Sequence, residues 1–310
     1  MATSVDQDQI PERGIAAQLG SRLGGKVPLY LVLFIFAFIA LGPFVYAALS
    51  AFKTADKVLE YPPSLIPHPW TGSNFTDLFN KGGSDVHFSR WLLNSFIYAV
   101  SICSLNVLFS SMAAYALARL KFFGSNSWFV VTLAVMMIPG EINWISRYII
   151  LNHFGLPFSI LGHSLTLNLI DTYWAIIVVF AAQPFSVFLL TQFLKGLPVE
   201  IEEAATIDGC SRFRIYWQII LPMAKPALVA AAILSFQGAW NNFTESLLYL
   251  NSSSNFPLTV GLNFFNGQYS SHTNLILAGA MFNTVPMVII FFIFQRYFIQ
   301  GAATSGLGGR

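Results

Sequence analysis

The sequence predicts an all-α, polytopic membrane protein with six transmembrane helices. Of its 310 residues, 55% are hydrophobic and only 10% are charged, whereas a soluble globular domain carries about 25% charged residues. Several apolar runs reach the roughly 20 residues that a helix needs to cross the hydrocarbon core of a bilayer. We therefore expect the lipid bilayer to surround most of this chain, with no separate soluble domain in it.

Six apolar segments are predicted to span the membrane. Four of them contain a proline in their interior, which removes a backbone donor and is expected to kink the helix. An even number of spans places both ends of the chain on the same side. The spans are residues 27–51, 91–118, 128–150, 169–193, 226–243 and 275–298, and the prolines are Pro43, Pro139, Pro184 and Pro286.

The positions of the basic residues predict the orientation of the chain. Eleven of the sixteen Lys and Arg residues lie in loops and tails on the side of the two termini. Since loops that stay in the cytoplasm carry the excess of Lys and Arg, that side should be cytoplasmic. We expect a multi-pass protein of the cytoplasmic membrane, with a cytoplasmic N-terminal tail at residues 1–26 and a cytoplasmic C-terminal tail at residues 301–310.

Several kinds of partner and cofactor are disfavoured. The net charge is only +2, and scattered basic residues give nucleic acid no phosphate-binding stripe. His153 and His163 lack a nearby cysteine or carboxylate cluster, so we expect no metal site. Residues 20–26 fit most of a phosphate-binding loop, but Val27 replaces the hydroxyl that would hold magnesium, and no strand precedes them. We expect this chain to bind no cofactor and to hydrolyse no ATP.

The polar loop at residues 198–222 is the most informative part of the sequence. Pro198 suits the first turn of a helix, and the three glutamates that follow it lie where the helix dipole favours anions. Gly209 permits the positive φ that ends a helix, and Ser211 can cap a second helix that runs towards Ile219. These features predict two short helices and a tight turn beneath the membrane. On physical grounds alone, the pair either seals the helical bundle or receives another protein.

The same loop resembles the EAA loop of bacterial ABC importer membrane subunits. In that family the loop forms a coupling helix, which sits in a cleft on the nucleotide-binding subunit and passes its motion to the spans. The resemblance implies that residues 198–222 couple this chain to a separate ATPase. The residues at the matching spacing are Glu203, Ala204, Ala205, Asp208, Gly209, Ile219, Leu221 and Pro222.

Other segments resemble the carbohydrate-importing, maltose-type branch of that family. They are residues 113–119 (AAYALAR), 137–140 (MIPG), 240–243 (WNNF) and 295–298 (QRYF). The resemblance implies a type-1 transmembrane domain at residues 27–300 in the inner membrane of a bacterium. It also implies a second, homologous permease, two cytoplasmic ATPase subunits that bind ATP and Mg, and an extracytoplasmic solute-binding protein.

A path for a sugar needs hydrogen-bonding groups and aromatic faces without fixed charge, because the solute is hydroxylated and uncharged. The best candidates stand together at the end of the fifth predicted span. Each of them is more often a helix-packing contact, since polar side chains commonly join membrane helices. The candidates are Gln237, Trp240, Asn241 and Asn242.

The sequence therefore predicts a permease subunit that imports a carbohydrate by alternating access, driven by separate ATPase subunits. The same architecture could serve a glycerol-phosphate type of solute. A channel or carrier that works alone is disfavoured, since the interiors of the predicted spans hold almost no ionisable side chains. An intramembrane enzyme is disfavoured because no catalytic pair of His, Asp or Glu lies within a predicted span.

Overall fold

A computed structural model describes residues 26–80, 86–155, 166–266 and 272–307. The chain divides into two compact units, residues 1–71 and 72–310. The predicted all-α membrane fold is confirmed. The candidate phosphate loop, apart from Lys26, lies outside the described residues, as do His163 and residues 308–310 of the C-terminal tail.

The described part of the first unit consists of one long apolar helix and the segment that follows it. Helix α1 (Val27–Ser50) has a mean hydropathy of 2.4 and exposes most of its side chains, which is expected of a helix solvated by lipid. After the short helix α2 (Ala55–Val58), the chain returns towards the end of α1. Lys53 Nζ donates to the carbonyl oxygen of Ser64 at 2.5 Å, and Thr71 N donates to Phe52 O at 2.9 Å.

The second unit is built almost wholly from helices. They are α3 (Ser73–Asn80), α4 (Phe88–Arg119), α5 (Ser125–Met137), α6 (Trp144–Asn152), α7 (Tyr173–Phe180), α8 (Pro184–Lys195), α9 (Glu200–Ile207), α10 (Arg212–Ile215), α11 (Leu221–Met223), α12 (Lys225–Trp240), α13 (Thr244–Tyr249), α14 (Leu258–Gly261) and α15 (Thr273–Leu307). A π-helical turn (Tyr216–Ile220) joins α10 to α11, and 3₁₀ turns cover Gly140–Asn143, Ser253–Asn255 and Leu262–Phe265. A minimal antiparallel pair, β1 (Phe154–Gly155) with β2 (Thr166–Leu167), lies in a loop.

Among the described residues, four helical segments are long and apolar enough to cross a membrane on their own. They are Val27–Ser50, Phe88–Arg119, Tyr173–Lys195 and Thr273–Gln295. Two bent helix pairs bring the number to six if each counts as one span: Ser125–Met137 with Gly140–Asn152, and Arg212–Met223 with Lys225–Trp240.

The third predicted span, residues 128–150, is not one kinked helix. It is broken at Pro139 into two helices that meet at 94°. Ile138 has an extended backbone, with φ −83° and ψ 120°, because the ring of the following proline disfavours the α conformation. Proline also removes the backbone donor that would carry the helix across this point. The prediction recognised the proline but underestimated the size of the bend.

The fourth predicted span also breaks at its proline, between α7 and α8. Gln183 is extended before Pro184, and its backbone N–H donates to Asn106 Oδ1 at 2.8 Å. The buried Asn106 amide also donates to Ser186 Oγ at 2.8 Å and accepts from Ser110 Oγ at 2.9 Å. One side chain of α4 thus supplies the hydrogen bond that the interrupted helix lacks.

Helix α4 lies at the centre of the second unit, packed mainly against α8 and α12. Near its start, the buried Asn94 donates to the carbonyl oxygens of Ser254 and Phe256 at 2.8 and 2.9 Å. Trp91 Nε1 donates to Ser253 O at 2.7 Å. These bonds tie the loop before α14 to the end of α4 opposite the predicted coupling loop.

Candidate coupling site and substrate path

The predicted coupling loop forms the two short helices expected from its sequence, with one correction at its start. Helix α9 begins at Glu200 and not at Pro198. The backbone N–H groups of Glu202 and Glu203 both donate to Val199 O, at 2.9 and 3.1 Å, so the first helical turn starts after Val199. Pro198 lies in the approach to the helix.

The turn between the two helices has the geometry of a helix C-terminus closed by glycine. Gly209 has φ +82°, in the left-handed region. Cys210 N donates to Ala205 O at 3.0 Å, and Gly209 N donates to Thr206 O at 3.1 Å, which is the Schellman pattern. Ser211 Oγ then accepts from Arg214 N at 3.3 Å and caps α10. The predicted glycine turn and serine cap are confirmed.

The inner face of the loop is packed into the helices. Ala205, Ile215 and Ile220 are buried and belong to one apolar cluster with residues of α4, α8 and α12. The predicted coupling residues Ile219 and Leu221 are partly buried against this cluster. The loop is therefore part of the membrane bundle and not an appendage to it.

Three polar contacts accompany this apolar packing, two of them made by Arg119. Arg119 is the last residue of α4, and its Nε lies 2.9 Å from Glu202 Oε1. The two atoms form an ion pair but are not aligned for a hydrogen bond. Both side chains are buried, with 6% and 5% of their surface exposed. Arg119 Nη2 donates to Leu197 O at 2.7 Å. The hydroxyl oxygens of Tyr216 and Ser111 lie 2.8 Å apart and share a hydrogen bond.

The outer face of the loop exposes an apolar surface between acidic and small residues. Ile207, Phe213 and Trp217 are 86%, 69% and 54% exposed. The rings of Phe213 and Trp217 are stacked, with centroids 6.4 Å apart. We call the exposed residues Glu203, Ala204, Ile207, Asp208, Gly209, Phe213 and Trp217 the docking face.

The predicted coupling residues divide between these two faces. Ala205 points inward, whereas Pro222 is exposed. The exposure of Ile207 and Phe213 was not predicted, because an apolar side chain in a short helix normally faces the core. Their exposure could have been predicted from their spacing. Each lies two positions from a buried residue, Ala205 or Ile215, and residues two apart lie on different faces of a helix.

Of the four predicted path residues, two make hydrogen bonds within the protein and two are exposed. Trp240 is fully buried, and its Nε1 donates to Asn283 O at 2.9 Å. Asn242 Oδ1 accepts from Ser246 N and Ser246 Oγ, at 3.0 and 2.7 Å. Gln237 and Asn241 are exposed at the end of α12, so their side chains have surface available to a solute. The Asn241 amide also donates to Gln237 O at 3.0 Å and accepts from Asn283 Nδ2 at 3.3 Å.

Two residues outside the predicted set join this region to the broken third span. Glu245 accepts from Asn242 Nδ2 at 3.0 Å and from Trp144 Nε1 at 3.3 Å. Trp144 begins α6, directly after the break at Pro139. The end of α12 and the break in the third span are therefore in contact. Irregular backbone at membrane depth is tolerated in such a place, where it is buried in protein or lines a cavity.

Comparison with known proteins establishes the family. Residues 14–303 match the model of the binding-protein-dependent transport system inner membrane component. The chain belongs to this family. It is thus a permease subunit of an ABC importer and a multi-pass component of the inner membrane, and ATP hydrolysis takes place in separate subunits that act with a solute-binding protein.

Named relatives of this family align along most of their length. The chain is 36% identical over 275 residues to the arabinooligosaccharides transport system permease protein AraQ of Halalkalibacterium halodurans, covering 88% of this chain and 93% of that protein. It is 27% identical to the sn-glycerol-3-phosphate transport system permease protein UgpE of Yersinia pestis, covering 92% and 98%.

A solved structure has the same fold. The crystal structure of a bacterial ABC transporter involved in the import of the acidic polysaccharide alginate contains a chain that superposes with a TM-score of 0.74. The two chains are 22% identical, and the superposition covers 90% of this chain and 98% of the other. The arrangement of helices is therefore that of an ABC importer permease.

Proposed function

We propose that this permease subunit imports a carbohydrate by alternating access, and that its docking face binds one of two cytoplasmic ATPase subunits. The observation that carries this proposal is the division of residues 198–222 into an inner face packed on three helices and an outer apolar face. A surface that is rigidly attached to the spans and free on its other side is suited to pass motion from a partner to the membrane bundle.

The chemistry of the docking face fits a protein partner. Exposed aromatic and branched side chains in one patch mark an interaction site, because monomeric proteins rarely leave such a patch to water. Glu203 and Asp208 add negative charge on the α9 side of this patch, and the exposed Arg212 and Arg214 add positive charge on the α10 side. A cleft with charges of opposite sign at the two ends would complement it. Ala204 and Gly209 are small enough to let the partner's backbone approach.

Carbohydrate is the favoured solute. The arabinooligosaccharide permease is the more similar of the two relatives described above, and the exposed Gln237 and Asn241 amides offer uncharged hydrogen-bonding groups. The alternative, a glycerol-phosphate ester, is an anion. Glu245, whose carboxylate is hydrogen-bonded into the neighbouring cluster, would repel it.

The remaining subunits follow from this proposal. A second, homologous permease completes the path, and each ATPase subunit binds ATP and Mg on the cytoplasmic side. Both tails of this chain, at residues 1–26 and 301–310, flank the transmembrane domain at residues 27–300 and lie in the cytoplasm. The supporting observation is the excess of Lys and Arg on the side of the termini and of residues 198–222.

Replacement of Gly209 by valine tests the docking assignment. A β-branched residue at φ +82° is strained whatever the available space, and the position of its Cβ is otherwise open. We expect both ATPase co-purification and uptake of labelled arabinooligosaccharides to fall to a small fraction of the parent level. Gly42→Val in α1 is the matched control, since Gly42 also has open space but no positive φ. Normal co-purification and uptake in Gly209→Val would show that the ATPase docks elsewhere.

A further inference from the structure

The end of α4 holds the coupling loop through a charge contact that packing alone does not require. The Arg119 and Glu202 side chains are almost fully buried, and the same guanidinium reaches Leu197 O. Leu197 lies in the approach to α9, and Glu202 lies in its first turn. A single side chain therefore fixes both the entry and the start of the first coupling helix.

A second contact lies along the same face of α4. Ser111, Tyr115 and Arg119 are spaced four residues apart, so they form one row on the helix. Ser111 shares a hydrogen bond with the hydroxyl of Tyr216, and the Tyr115 and Tyr216 rings lie 5.3 Å apart. Tyr216 belongs to the segment after the Gly209 turn, whereas Glu202 belongs to the helix before it. The two contacts thus bracket the turn.

We infer that Arg119 is a positioning residue that makes the coupling loop and the second span move as one body. The inference rests on the proposed docking of the ATPase and adds the route by which its motion leaves the loop. A push on the docking face reaches α4 through Glu202 and Arg119 on one side of Gly209, and through Tyr216 and Ser111 on the other.

The physical reason is the difference between directional and non-directional contacts. The apolar cluster beneath the loop includes small side chains such as Ala114 and Ala205, and apolar burial has no preferred direction. Helices joined only by such surfaces can slide along each other. A buried charge pair tolerates little displacement, because separating its members leaves uncompensated charge away from water. The pair therefore fixes the register between α4 and α9.

The experiment uses the complete transporter, purified with its own partner permease, ATPases and solute-binding protein. Glu202→Gln removes the charge with little change in shape. Three quantities are measured: ATPase co-purification, basal ATP hydrolysis per complex, and the stimulation of hydrolysis by the binding protein. Stimulation reports coupling on the ATPase side of the complex, so it requires no measurement of solute movement.

We expect Glu202→Gln to keep normal co-purification and basal hydrolysis, and to lose binding-protein stimulation by a factor of roughly 3 to 30. Arg119→Lys keeps the charge but not the planar guanidinium fork, so it should lose less binding-protein stimulation than Glu202→Gln. Glu200→Gln is the control, because it removes the same charge from an exposed position of the same helix. It should behave like the parent.

Each other outcome overturns the inference. Unchanged stimulation in Glu202→Gln would show that the pair carries no coupling. Loss of ATPase co-purification in Glu202→Gln but not in Glu200→Gln would show that the pair only maintains the docking face. An equal or larger loss in Arg119→Lys, which keeps the charge, would show that the guanidinium fork and its bond to Leu197 O set the register and that the charge pair alone does not. Failure of the docking proposal itself is seen separately, as unchanged co-purification in Gly209→Val.

Discussion

At the scale of single residues, polar side chains in this protein mostly join segments that are far apart in sequence. Asn94 and Asn106 each make two or more hydrogen bonds to segments between 77 and 162 residues away. The Asn242 side chain instead bonds to its near neighbours Glu245 and Ser246. The sequence identified them only as polar residues in or near spans. Which of them would face a solute was not predictable, because that depends on where the helices break.

Asp171 gives a prediction for pH dependence. It lies just before the span that begins at Tyr173, with φ +61°. Burial raises the pKa of its carboxyl group, but hydrogen bonds from the Ser252 hydroxyl and from the backbone N–H groups of Ser252 and Asn251 outweigh this effect. They hold the pKa below its ordinary value of 3.8.

Since the folded pKa of Asp171 is lowered, its stabilising effect is complete above about pH 4 and is lost only as the pH falls further. We expect Asp171→Asn to lower the free energy of unfolding at neutral pH by about 1–2 kcal/mol. Thermal unfolding of the purified protein in detergent measures this change, and the difference between parent and variant should shrink as the pH falls below about 4. Glu60→Gln, which loses only an exposed contact with Lys57, should have a much smaller effect. An unchanged melting temperature for Asp171→Asn would contradict the stabilising role.

At the scale of elements, the helices themselves were predictable and their interruptions were only partly so. The apolar runs located α1, α4 and α15, and Gly209 and Ser211 located the turn between α9 and α10. The sequence predicted kinks at Pro139 and Pro184. A proline destabilises a helix, but it does not determine the angle between the helices before and after it. The 94° bend at Pro139 is accompanied by contacts such as that between Trp144 and Glu245, which join residues 101 positions apart and which the sequence does not reveal.

The break before Pro184 leads to a second stability prediction. Asn106→Leu removes the acceptor of Gln183 N–H and leaves a partly buried backbone donor unpaired, at a cost of about 1–3 kcal/mol. We expect a clear fall in the melting temperature of the detergent-purified protein. Ser104→Leu places the same side chain on an exposed position of the same helix and should change the melting temperature little. Equal melting temperatures for the two variants would show that the break does not depend on Asn106.

At the scale of the whole molecule, the chain is one part of a machine whose energy source lies in other subunits. Its long exposed apolar helix faces suit lipid or a second permease, and its docking face suits an ATPase. The fold class and the family were predictable because a long motif and the span pattern carry them. The identity of the solute was not predictable, because the two exposed amide side chains at the end of α12 can hydrogen-bond to many hydroxylated compounds.

This division of labour predicts that the isolated chain does not catalyse transport. We expect proteoliposomes that contain this chain alone, with a gradient of labelled arabinooligosaccharides and no ATP, to show the same flux as empty liposomes. The complete transporter with ATP and binding protein is the positive control. Catalysed flux through the isolated chain would instead identify a self-sufficient carrier or channel.

The hydrogen bond from Gln183 N–H to Asn106 has a consequence for the membrane that holds the protein. A helix interruption inside a bilayer normally exposes a backbone group that attracts water, and a file of water molecules conducts protons. Here the protein itself supplies the acceptor for the Gln183 N–H group, so this donor needs no water molecule to satisfy it. The break therefore presents one group fewer to which a file of water molecules, and with it a leak of protons, would attach.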